Sequence, residues 1–206
     1  MKKQQTHYHI ILDQSGSMQD CKEQTISGFN EQLQSIQTLE EQFPNQEITV
    51  GLTLFNTQVM PLADRARPAD LERLTPSTYL PNGGTALFDA IGLTVQKAKT
   101  GWLNAPPDVA ATVMMVIITD GYENSSRVFR LPEIRDLVTR LEGTGQWTFL
   151  YLGATLDAVD VAESMAIHRS RSAFFDKRAM ESEVWDRLGK ATVSYFEGRP
   201  DDIDFI

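Results

Sequence analysis

His9-Ile10-Ile11-Leu12-Asp13-Gln14-Ser15-Gly16-Ser17 is an apolar, β-prone run that stops at an acidic residue and gives way to a Gly/Ser turn. A buried strand over residues 8–12 therefore ends at Asp13. The loop after it carries oxygen-bearing side chains at alternate positions, Asp13, Ser15 and Ser17. Gly16 lets that loop bend without steric cost, so the three can turn toward one point. Two later stretches have the same character. Gly83-Gly84-Thr85 precedes a segment in which Leu87, Ile91, Val95 and Ala98 repeat at helical spacing. Thr119-Asp120-Gly121 follows residues 112–118, the most apolar strand-like run in the chain.

Between these landmarks strands and helices alternate. Residues 20–43 place Ile26, Phe29, Leu33, Ile36, Leu39 and Phe43 on one helical face, and Pro44 closes that helix. Residues 47–55 alternate as a second strand, and Asn56-Thr57 turns the chain into a return strand at 58–62. A loop over 63–84, interrupted by Pro68, Pro76 and Pro81 and holding one helical turn at 69–74, delivers Thr85 to a helix that runs to Gly101. A linker through Pro106-Pro107 leads to 112–118, whose lack of alternation predicts a central strand covered on both faces. A polar loop at 122–127 is followed by a helix at 132–142, a strand at 146–152, a helix at 155–166, an edge strand at 171–175 and a closing helix at 177–197. The pattern predicts an α/β fold with a doubly wound, mainly parallel central sheet, one antiparallel edge strand and helices on both faces.

Composition bounds what such a fold can do. A chain of 206 residues with 41% hydrophobic and 23% charged residues is expected to form one globular domain spanning 1–206. The formal charge of −9 argues against sequence-independent binding to nucleic acid or anionic lipid, both of which need a basic surface. Cys21 is the only cysteine, which excludes an internal disulfide and a Cys-rich zinc framework. The N-terminal residues are too polar, and the apolar run after them too short, for a signal peptide, and nothing approaches the roughly 18 to 20 apolar residues of a membrane span. These features predict a soluble, cytoplasmic protein.

In a sheet of this kind, ligands bind beyond the carboxyl ends of the strands, where the strand order reverses. Asp13 and Asp120 each follow an apolar strand, and Thr85 starts a helix that can reach them. The set offers hydroxyls from Ser15, Ser17 and Thr85 and carboxylates from Asp13 and Asp120, with no His or Cys. An all-oxygen set suits a hard divalent cation, Mg²⁺ with Mn²⁺ as the alternative, and disfavours zinc. If the hydroxyls contact the ion directly and the carboxylates act largely through water, the ion keeps much of its charge and an open position. A carboxylate from a partner protein is the natural sixth ligand.

Asp13-Gln14-Ser15-Gly16-Ser17, Gly83-Gly84-Thr85 and Thr119-Asp120-Gly121, in this order and strand context, resemble the von Willebrand factor A domain with its metal-ion-dependent adhesion site. The resemblance covers residues 6–165 by motif and the last forty residues by general pattern only. It implies a Rossmann-like domain in which Ser15, Ser17 and Thr85 are direct metal ligands and Asp13 and Asp120 support them. It further implies a protein-binding role of the stand-alone intracellular or bacterial type, as an adaptor or assembly factor whose partner presents an Asp or Glu to the metal.

Competing readings attach to each feature. Asp13, Ser15 and Ser17 could serve as a helix N-cap and turn. Glu123 and Asn124 read as solvated loop residues, and Asp89 as a local hydrogen-bonding residue. His7 and His9 share one face of the first strand, where packing is the expected role and metal ligation the alternative. The basic group His168, Arg169 and Arg171 reads as a solvated rim, and the acidic tail 201–206 as a packed or frayed terminus rather than a docking motif. An enzyme using the same ion for phosphoryl transfer or hydrolysis would need a base or activated nucleophile beside it, and no His lies near the three segments. A structural subunit in which the metal only stiffens the loops is the third reading.

Overall fold

Strand β1, Gln4–Asp13, forms the middle of a six-stranded sheet and pairs in parallel on both sides. The computed structural model describes residues 4–102, 110–180, 184–198 and 203–205. In chain order the further elements are α1 (Lys22–Gln42), β2 (Gln46–Phe55), β3 (Val59–Ala66), α2 (Leu87–Trp102), β4 (Ala110–Thr119), α3 (Leu131–Glu142), β5 (Trp147–Gly153), α4 (Ala158–Ser164), β6 (Ser172–Phe174) and α5 (Asp186–Phe196). The sheet order is β3-β2-β1-β4-β5-β6, parallel throughout except for the antiparallel β2/β3 pair. The doubly wound α/β sheet with one antiparallel edge strand is therefore as the sequence predicts.

Side-chain parity along β1 sorts the core into two layers. Tyr8, Ile10 and Leu12 pack with Phe29, Leu33 and Ile36 of α1 and Leu188 of α5. Ile11 packs on the opposite face with Ile91 and Val95 of α2 and Ile134 and Val138 of α3. β4 contributes to both layers, Met114 and Val116 to one and Met115 and Ile117 to the other, which is why its sequence does not alternate. Chain from β1 leads to β2 on one side, and chain from β4 leads to β5 on the other. The strand order thus reverses between β1 and β4, and a crevice opens beyond their carboxyl ends.

Several boundaries differ from the sequence reading. The first helix is preceded by a 3₁₀ turn, Gly16–Cys21, so the loop after Asp13 tightens into the helix at once. β3 continues to Ala66, through a register shift opposite Gly51 that no simple alternation reveals. The helical turn expected at 69–74 is Pro68–Asp70. The closing segment begins with a 3₁₀ turn, Lys177–Ala179, which Asp176 caps by accepting from the Arg178 N–H, and its regular α-helix, Asp186–Phe196, follows helical residues at Val184 and Trp185. The Pro106-Pro107 linker lies outside the described residues, as do 201, 202 and 206 of the acidic tail. Ile203 and Phe205 are buried in the α1/α5 layer, so that part of the tail is packed. Among the described residues no helix is long and apolar enough to cross a membrane.

Candidate functional site

The five predicted site residues meet at the crevice between β1 and β4. Asp13, the last residue of β1, is fully buried: its Oδ1 accepts the Ser15 N–H at 2.6 Å and its Oδ2 accepts the Thr119 hydroxyl at 2.6 Å. Its carbonyl accepts the Tyr79 hydroxyl at 2.5 Å. Burial pushes the Asp13 carboxyl up to about 6; hydrogen bonds from Thr119 and Ser15 oppose the rise and the nearby Asp120 charge adds to it. Ser15 Oγ lies 3.1 Å from Ser17 Oγ, which donates to Asp120 Oδ1 at 2.6 Å. A continuous chain of oxygens therefore links the loop after β1 to the loop after β4.

Thr85 joins through Gly121. A Cβ built on Gly121 would stand 3.3 Å from Thr85 Oγ1 and 3.7 Å from Ser17 Oγ, so both hydroxyls flank the same glycine backbone. Backbone pairing holds the loops together: the Gly16 N–H donates to the Gly83 carbonyl at 3.1 Å and the Asn82 N–H to the Gln14 carbonyl at 3.0 Å. Gly83 has a φ of +73°, and a Cβ there would meet Thr57 Oγ1 at 2.7 Å, so this turn requires glycine.

Three flanking residues do more than the sequence suggests: Asn124 is exposed on the loop as expected, and Asp89 hydrogen-bonds as expected but to a distant segment. Glu123 and Asn124 are structural clamps, since a loop packed on a helix start must satisfy that helix's free N–H groups. Glu123 accepts from Phe88 N–H at 2.9 Å and from the Ser125 and Ser126 N–H groups at 2.9 and 2.7 Å. Asn124 Oδ1 accepts the Thr85 N–H at 2.8 Å. Asp89 acts across the loop rather than locally: its carboxylate accepts the N–H groups of Arg127, Val128 and Phe129 at 2.8, 2.9 and 2.8 Å.

One participant carries no motif. The ammonium of Lys177, from the 3₁₀ turn after β6, is paired with Asp120 Oδ2 and donates to the Ser17 carbonyl at 3.0 Å. A cleft of about 670 Å³ adjoins it, lined in part by Asp20, Leu156, Phe174, Lys177 and Arg178. Leu156 is 93% exposed and Tyr122, on the loop after Asp120, is 56% exposed, which leaves large apolar surface at the rim.

The donor set can hold a hard cation. It offers three hydroxyls and two carboxylates without nitrogen or sulfur, and Asp120 Oδ2 is a buried carboxylate oxygen paired with the Lys177 ammonium. Among the described residues, the site's hydroxyls pair with carboxylates and with one another rather than with an imidazole. The Ser17 hydroxyl faces a carboxylate already neutralised by an ammonium, and His168 is engaged with Ser170 on an exposed turn.

The sequence profile of the von Willebrand factor type A domain matches residues 9–187. No curated protein matches the chain. Among solved structures, the vWF domain of the type V pili tip protein Mfa5 from Porphyromonas gingivalis superimposes with a TM-score of 0.63 at 8% identity, covering 93% of this chain and 96% of that one. Manganese-loaded TRAP protein from Plasmodium vivax gives 0.59 at 16% identity, over 86% of this chain and 71% of that one. Proximal thread matrix protein 1 from the mussel byssus, solved with a zinc-occupied MIDAS motif, gives 0.61 at 14% identity over 96% of this chain. This chain spans about half of that mussel protein, 47% of its length. At these identities the likeness establishes the fold.

Proposed function

The chain belongs to the von Willebrand factor type A domain family, and we propose that it is a divalent-metal-dependent protein-binding module built as a single domain. The observation that carries the proposal is the run of oxygens from Asp13 through Ser15 and Ser17 to Asp120, with Thr85 Oγ1 against the same Gly121. Ser15, Ser17 and Thr85 are the direct ligands and Asp13 and Asp120 their supports. The ion is Mg²⁺, with Mn²⁺ as the substitute. Structural neighbours solved manganese-loaded and with a zinc-occupied MIDAS motif support metal binding by this chain.

A divalent cation held by these residues would supply the positive charge that a partner's Asp or Glu seeks. The chain's own residues do the rest. Asp13, held by Ser15 and Thr119, fixes the curvature of the first loop. Glu123, Asn124 and Asp89 tie the loop after β4 to the start of α2, so Thr85 and Asp120 keep their relative position. Lys177 supplies the positive charge beside Asp120, the charge that a divalent cation held by Ser15, Ser17 and Thr85 would also supply. The exposed Tyr122 and Leu156 give a partner apolar contact at the rim.

The reading is non-enzymatic, and the role is that of an adaptor or assembly factor in the cytoplasm. Calorimetric titration with Mg²⁺ and Mn²⁺ tests it. Wild type should bind one equivalent and Thr85→Ala should lose it while remaining folded; equal binding by both would remove the site assignment.

A further inference from the structure

A second polar cluster lies inside the protein, between the sheet and α2, and takes no part in the site above. His7 and His9 are each 2% exposed and point from the same face of β1. His7 Nε2 and His9 Nδ1 are 3.2 Å apart, with the rings at 72°. The other two ring nitrogens are held from β2: His7 Nδ1 lies 3.1 Å from Thr49 Oγ1, and His9 Nε2 lies 2.8 Å from Thr53 Oγ1. Asp64 of β3 completes the group. Its Oδ1 is 4.0 Å from His7 Nε2, is buried, and has no hydrogen-bond partner.

We propose that His7 Nε2, His9 Nδ1 and Asp64 Oδ1 form a binding site for a transition-metal cation of the Zn²⁺ class, separate from the oxygen-lined site. Three independent features build it. First, ligand atoms of all three residues lie within 4.8 Å of one another, and two nitrogens on a tetrahedral ion with bonds of 2.0–2.1 Å stand about 3.3 Å apart. The nitrogen pair already has the spacing that shared ligation requires, and Asp64 Oδ1, 4.0 Å from His7 Nε2, would close in on an ion placed between them. Second, the backbone is shaped around the cluster. Gly51, opposite His9 in the β1/β2 register, leaves space that a Cβ would close at 2.1 Å from His9 Nδ1. The β2/β3 register shifts opposite Gly51, and Arg65 in that bulge has a φ of +52°. A bulge with a non-glycine residue in the left-handed region re-aims the neighbouring side chain, here Asp64, over the histidines.

Third, the partners suit the chemistry. A ligating imidazole must be neutral, and its second nitrogen is ordinarily fixed by a hydrogen bond, the task Thr49 and Thr53 perform. Burial, then the nearby Arg65 charge, push His7 down to about 3; burial likewise lowers His9, with smaller effects from His7 and Lys97. Both rings are therefore neutral around pH 7. Two nitrogens and one carboxylate oxygen select zinc-like ions over Mg²⁺. The Asp64 side chain, 23% exposed, gives an entry from the β3 edge. The two sites lie on one strand, about 13 Å apart at four residues of β-rise.

Zinc titration of the full chain in excess Mg²⁺, with imidazole ¹⁵N resonances followed by NMR, tests the proposal. One zinc equivalent should bind, move the resonances of His7 and His9 in wild type, and persist in Thr85→Ala, which separates it from zinc entering the oxygen-lined site. Asp64→Asn, nearly isosteric at the sheet edge, should weaken it more than about tenfold, and Thr49→Val by about 10- to 100-fold. Absence of that equivalent, unmoved histidine resonances, or an affinity indifferent to Asp64→Asn would show that the cluster is a hydrogen-bonded pair only.

Discussion

The Lys177 ammonium occupies the Asp120 Oδ2 side of the oxygen cluster, joined also to the Ser17 carbonyl, so the chain carries its own monovalent counter-ion at the crevice. A tethered cation there competes with a free one. Lys177→Met should raise Mg²⁺ affinity by roughly two- to fivefold, the scale of a partly exposed ion pair. Calorimetry measures it, and weaker binding in the variant would mean that Lys177 assists the metal.

Gly121 sets how closely the loop after β4 can approach Thr85. Gly121→Ala puts a methyl group 3.3 Å from Thr85 Oγ1. Melting temperature should change little, while Mg²⁺ affinity should drop about tenfold, as when a group that positions a ligand is disturbed. Unchanged affinity would place Thr85 outside the coordination sphere.

Asp89 holds three N–H groups of the 127–129 segment. Asp89→Ala leaves them without that acceptor and should cost about 2–4 kcal/mol in urea unfolding. A change within about 0.5 kcal/mol, the range of ordinary surface substitutions, would contradict the clamp.

Buried titratable groups give the metal-free protein a defined acid sensitivity. Asp13 is raised from 3.8 to about 6, so its contribution is present below about 4 and lost as pH rises through about 6. His7 and His9 are lowered, so the unfolded chain takes up protons below 6.5 that the folded state refuses, and stability is lost as pH falls below 6.5. Two lowered imidazoles set against one raised carboxyl leave stability falling toward acid below about 6. Urea unfolding in chelator across this range should show it, and His7→Gln should flatten it. A wild-type slope of opposite sign would contradict neutral buried imidazoles.

What could be read in advance follows from where the information lies along the chain. Strand β1 and the loop after it announce themselves because apolar alternation stops at Asp13, and the order of the three segments suffices to bring Asp13, Ser15, Ser17, Thr85 and Asp120 to one crevice. Lys177 was illegible. It reaches Asp120 from a short turn that a helical pattern over 177–197 conceals, and a single lysine has no periodicity to mark it. The pattern marks Glu123 and Asn124 only as solvated loop residues and Asp89 only as a local hydrogen-bonding residue, because their partners are backbone N–H groups, which leave no trace in side-chain pattern. His7 and His9 were correctly paired on one face by strand parity, but Asp64 fell in a segment read as loop, since a register shift interrupts the β3 alternation.

Metal-dependent capture of a partner tests the central proposal most directly. Immobilised wild type and Thr85→Ala are compared in Mg²⁺ and in chelator, with bound proteins identified by mass spectrometry and the captured partner's acidic residues then substituted. A partner retained only by wild type in Mg²⁺, and lost when one of its Asp or Glu residues is changed to Ala, is the predicted result. Capture that is the same for both proteins with and without metal would contradict it.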